Sequence, residues 1–68
     1  MQVARNSNGG FVVHAIRHLT PRAKISAWFE ADGTLIDAEM IDCRNVSRPV
    51  RGRETLRRLR GIGAIWRQ

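Results

Sequence analysis

Residues 24–42 read KISAWFEADGTLIDAEMID, and the alternation on either side of Asp32-Gly33 decides the fold. An Asp-Gly pair between two alternating runs signals a hairpin, because a two-residue type I′ turn needs positive φ at both central positions. With the turn there, Ala31 faces Thr34, Phe29 faces Ile36, Ala27 faces Ala38 and Ile25 faces Met40. That side is almost wholly apolar. The other side pairs Glu30 with Leu35, Trp28 with Asp37, Ser26 with Glu39 and Lys24 with Ile41, a mixed and mostly polar set. A slip of one residue would scramble this division, so the register is specified by burial itself.

Upstream, residues 11–19 (FVVHAIRHL) fit two periods. Alternation puts Phe11, Val13, Ala15 and Leu19 on one side and Val12, His14, Ile16 and His18 on the other. A helical stripe of Val12, Ala15, Ile16 and Leu19 also works, so the period alone leaves both open. The Val-Val pair, the preceding Gly-Gly and the extended bias of Thr20 before Pro21 favour a strand. A short connection to Lys24 would then make it the first strand of a three-stranded antiparallel meander. Residues 1–10 are polar, end in Asn-Gly-Gly, and are expected as a flexible arm before a single small domain over residues 11–68.

Downstream, residues 43–54 (CRNVSRPVRGRE) read as a loop, punctuated by Asn, Ser, Pro and Gly. A short helix is expected from Arg53 to Arg60, with Gly52 as N-cap, Glu54 at the positive end and Gly61 as the stop. Leu56 and Leu59 would anchor it on the sheet, since eight residues do not hold a helix alone in water. Arg53, Arg57 and Arg60 gather on one flank and Arg58 points away. Residues 64–66 are expected as an extended tail or short strand. The resulting class is α+β: a three-stranded meander with one short C-terminal helix on its apolar face.

Charge is divided unevenly along the chain. Residues 1–43 hold four basic and five acidic side chains, whereas residues 44–68 hold eight arginines against Glu54 alone. The whole net charge of +6 therefore comes from the last 25 residues, the kind of asymmetry that points to nucleic acid or a membrane surface. Eleven of the twelve basic residues are arginine, whose planar fork grips phosphate in a two-pronged way that lysine cannot. No apolar run approaches the ~18 residues of a membrane span, and the polar N-terminal stretch has no secretion-signal core. With Cys43 as the single thiol, a cytoplasmic protein is expected. A domain this short buries only about 60% of its unfolded surface, so self-association is the expected supplement to its stability.

Catalytic and metal patterns are weak by comparison. His14 and His18 would share one face of a helix, but on a strand they stand about 13 Å apart, too far to hold one ion. Asp37 and Glu39 alternate on the exposed side of a hairpin with no cleft around them, and Cys43 has no adjacent base. Residues 59–63 (LRGIG) resemble the Gly-apolar-Gly turn of the helix-hairpin-helix DNA-binding family over five residues. Only AIWRQ follows, too short for that family's second helix, so a helix stop explains the glycines.

The function expected from these residues is non-catalytic nucleic-acid binding, with no cofactor and no metal. Arg44, Arg48, Arg51, Arg53, Arg57, Arg60 and Arg67 would contact phosphates. Trp28 and His14, on the polar sheet face, are expected to form a protein–protein contact, with a homodimer as one form of it. The alternative is an accessory or regulatory protein that docks the same arginines on an acidic partner.

Overall fold

The computed structural model describes residues 2–17 and 23–67. Five strands, β1 (Gln2–Arg5), β2 (Phe11–Arg17), β3 (Lys24–Phe29), β4 (Leu35–Ile41) and β5 (Ser47–Pro49), precede one helix, α1 (Arg53–Trp66). The strands form one sheet in the order β1-β2-β3-β4-β5, antiparallel throughout. The α+β class and the central meander are as the sequence predicts. Three strands become five because the expected N-terminal arm holds an edge strand and the expected 43–54 loop holds another. The strand reading of residues 11–17 is the correct one; His18 and Leu19 lie outside the described residues.

The hairpin register holds along most of its length. Lys24 pairs with Ile41, Ile25 with Met40, Ser26 with Glu39, Ala27 with Ala38 and Trp28 with Asp37. Near the turn it changes, because the loop has three residues rather than two. Glu30 accepts from the Gly33 amide at 2.9 Å and donates to the Thr34 carbonyl at 2.9 Å, and only Gly33 within this loop has positive φ. This is a type I turn closed by a left-handed residue. Phe29 consequently pairs with Leu35, not Ile36, and a bulge at Ile36 restores the lower register. Ile36 is thereby expelled from the core and left 61% exposed.

The other two described loops repeat the form. Asn6 and Gly10 bracket Ser7-Asn8-Gly9, and Asp42 and Val46 bracket Cys43-Arg44-Asn45, with the same pair of backbone bonds. Gly9 and Asn45 hold the left-handed position, at φ 90° and 65°. Side-chain oxygens brace all three loops: Asn8 accepts from the Gly10 amide, Asp32 from Thr34, and Asp42 from Arg44 and Val46. Short polar side chains suit this bracing because they reach their own backbone two residues on.

A second bulge corrects the sidedness of β2. His14 and Ala15 together oppose Ser26, between the Val13–Ala27 and Ile16–Ile25 pairs. Ala15 takes φ 58°, and His14 Nδ1 lies 3.1 Å from Ser26 Oγ. The extra residue puts Ile16, not Ala15, beside Phe11 and Val13 in the core.

That core is one-sided. Phe11, Val13, Ile16, Ile25, Ala27, Phe29 and Ala38 meet Leu59 of α1. Phe11 and Phe29 are direct cross-strand partners, stacked with centroids 5.0 Å apart. The helix starts at Arg53 after Gly52, whose carbonyl accepts from Leu56 at 2.9 Å. It does not stop at Gly61 but runs six residues further than the sequence indicates, to Trp66. The reason is contact rather than propensity. A Cβ on Gly63 would strike the Gly33 carbonyl oxygen and the Phe29 ring, so the helix backbone lies directly on the β3–β4 loop. Arg5 then donates to the Trp66 carbonyl at 3.0 Å, satisfying an end group of the helix.

Candidate nucleic-acid interface

The helix winds its arginines onto two flanks. At ~100° per residue, Arg53, Arg57 and Arg60 share an arc, and Arg58 falls on the other side. The surroundings agree: Arg60 borders a concavity with Arg67, Leu35 and the Asp32-Gly33-Thr34 loop. Arg58 instead lines a groove with Ile16, Arg17 and Ile25. The flank expected from the sequence is therefore present, over β4, and Arg67 extends it past the end of α1.

The remaining expected arginines spread from this flank. Arg48 pairs with Met40, which packs against the core, so it belongs to the helix side of the sheet edge. Arg51 lies in the link from β5 to α1. Arg44 sits at the tip of the β4–β5 loop, and its backbone amide donates to Asp42 at 2.9 Å. All seven are exposed. The one ion pair among the described residues is Arg58–Glu54, at 3.9 Å, and it uses the arginine that is not on the flank. Asp32 lines the same concavity as Arg60 and Arg67, but its carboxylate accepts from the Thr34 amide of its own loop. The Thr34 side chain and then the Thr34 amide hold its carboxyl below the ordinary aspartate range.

The opposite face of the sheet differs in character. Trp28 stands there between Val12 and Asp37, half-buried. His14 is on the same side, next to Ser26, and Glu39 accepts from the Ser47 hydroxyl at 3.0 Å. The two residues expected at a protein contact thus share one face with two carboxylates. Ser26 and His14 fix the β2 bulge, with no carboxylate hydrogen-bonded to the imidazole among the described residues. No group of three or more metal-ligating side chains occurs among them either.

Sequence reasoning overlooked two features at the end of α1. Ile65 is 77% exposed and Trp66 37% exposed, in a helical turn where the sequence indicates an extended tail or short strand. The signal is positional: seven residues after Arg58, Ile65 repeats its outward flank rather than that of Leu59. Arg5 was also unassigned. Its guanidinium lies 5.3 Å from the Phe11 ring centre as well as on the Trp66 carbonyl. No helix among the described residues is long and apolar enough to cross a membrane. No protein-family model, curated protein or solved structure matches the chain.

Proposed function

We propose that this chain binds nucleic acid through its phosphates, without catalysing a reaction on it and without a cofactor. One observation carries the reading: Arg53, Arg57, Arg60 and Arg67 line one exposed flank with no carboxylate ion-paired to them among the described residues. Arg48 and Arg51 lead into that flank, and Arg44 reaches beyond it. Guanidinium groups left unpaired at this density repel one another unless an anion lies between them, and phosphate fits their fork. Asp37 and Glu39 on the far face would turn a polyanion away, so the bound strand runs along the helix side. Contacts of this kind set affinity and register rather than sequence.

The test is a polarisation titration against single- and double-stranded oligonucleotides at several salt concentrations. If about four arginines touch phosphate, the slope of log K against log salt on duplex DNA is about −3 to −4. Replacing Arg53, Arg57 and Arg60 together with Gln flattens that slope and weakens all sequences alike, with the fold intact. No binding even at low salt would end this reading. Recovery of an acidic protein in a pull-down, lost on the same triple substitution, would establish the accessory-protein alternative.

A further inference from the structure

The two edges of the sheet are not equivalent. In the β4–β5 ladder the bonded pairs are Asp42–Val46 and Ala38–Val50, so by alternation Ser47, Pro49 and Arg51 direct their backbone outward. Pro49 has no N–H to offer, Arg48 precedes it on a strand of three residues, and Arg51 follows two residues beyond it in the link to α1. That edge is closed to further pairing by the usual devices: brevity, proline and charge. In the β1–β2 ladder the Asn6 amide donates to the Gly10 carbonyl at 2.7 Å. The same alternation aims Gln2 and Ala4 at β2 and leaves the amides and carbonyls of Val3 and Arg5 pointing outward. Among the described residues no backbone bond is made to them, and β1 holds no proline; its one charge, Arg5, is drawn over the Phe11 ring and onto the Trp66 carbonyl.

We propose that the outer edge of β1 pairs antiparallel with β1 of a second copy of this chain, about a dyad at Ala4, with Ile65 and Trp66 covering the seam. The outward groups are self-complementary in that register. Val3 of each copy exchanges both backbone bonds with Arg5 of the other, four bonds in all, and Ala4 meets its own counterpart. No like charges stand directly opposite, and alanine at the dyad lets the backbones approach. Strand pairing of this kind has its two-fold axis perpendicular to the sheet, so both helices lie on the same side. The Trp66 carbonyl is tied to the Arg5 side chain of β1, and Ile65 shares the flank of Arg58, which overlooks β2, so the exposed end of α1 lies toward the open edge. In the dimer the two copies turn these ends toward each other across the seam. A second copy answers both the open edge and the exposed pair; a lone peptide strand would leave Ile65 wet. The seam is small, in the class of weak associations.

A concentration series by sedimentation velocity, in the absence of nucleic acid, tests this. The wild-type chain should pass from monomer to dimer between micromolar and millimolar concentrations. Val3→Pro removes an outward N–H and none of the β1–β2 ladder bonds, while also replacing a side chain packed against the core. By symmetry it removes two bonds from the seam and raises the dimer Kd by at least about tenfold. Ile65→Asp, at a position 77% exposed, weakens the dimer without touching the core and decides the matter if Val3→Pro fails to fold. A wild-type monomer throughout the series overturns the proposal. So does a dimer unaffected by both substitutions but lost in Trp28→Ala, which would place the contact on the other sheet face. Neither result bears on the arginine flank, which is read by its salt slope alone.

Discussion

Gly61 and Gly63 stand two residues apart in the same helix and have opposite roles. A Cβ at Gly61 meets nothing within 4 Å, whereas one at Gly63 collides with Gly33 and Phe29. Gly61→Ala should therefore stabilise the domain by about 0.5–1 kcal/mol through helix propensity. Gly63→Ala should destabilise it by about 1–3 kcal/mol, because helix and loop must separate. Urea unfolding of the two variants side by side checks both signs. The sequence shows two glycines and invites one explanation, a helix stop. Which glycine is a tertiary contact depends on where the β3–β4 loop lies, and that is written in no local pattern. Asp32 offers a second residue-level test. Its carboxyl is held below the ordinary range first by the Thr34 side chain and then by the Thr34 amide. A depressed folded-state pKa means the contribution is complete above the unfolded value and is lost as pH falls through the folded one. In an NMR titration Asp32 should thus remain ionised into acid where ordinary aspartates protonate. Thr34→Val should move its midpoint upward.

The three described loops share a form that was legible only in part. Asp32-Gly33 is visible as a turn because its flanks alternate so clearly. The Asn8-Gly9 loop, with the same Asx-Gly pair, was hidden because only Gln2–Arg5 precede it and four residues show little alternation. The third loop has Asn45 where the others have glycine, and β5 beyond it is three residues long with a proline, so its sequence reads as irregular. Edge strands are built to be short and interrupted, and for that reason they are poorly marked. The bulges at Ala15 and Ile36 were missed for a related reason: strict alternation has no place for an unpaired residue, and only the partner strand reveals one. If the shared form is what holds the β4–β5 hairpin, Asn45→Gly should be neutral or stabilising by less than about 1 kcal/mol. Asn45→Val should cost about 1–2 kcal/mol, since a branched side chain resists the left-handed region. Thermal or urea unfolding distinguishes the two.

Taken whole, the molecule is a single sheet with a cationic helix on one side and Trp28, Asp37 and Glu39 on the other. The basic side was legible from charge segregation along the chain, and helical spacing separates Arg58 from its neighbours. The open edge of β1 was not, because an open edge is a property of backbone directions rather than residue types. The meander order also governs time. Each ladder joins strands adjacent in sequence, so hairpins across the three-residue loops close at small entropic cost and at short contact order. The contacts that span long stretches of chain are those of the helix: Leu59 in the sheet core, Gly63 on Gly33 and the bond from Arg5 to Trp66. The sheet should therefore assemble ahead of helix docking, leaving the helix contacts largely absent from the transition state. In stopped-flow experiments Gly63→Ala should speed unfolding and leave refolding nearly unchanged, whereas Asn45→Val should slow refolding. The helix, with its arginines, would then be the last part of the chain to arrive and the first to leave.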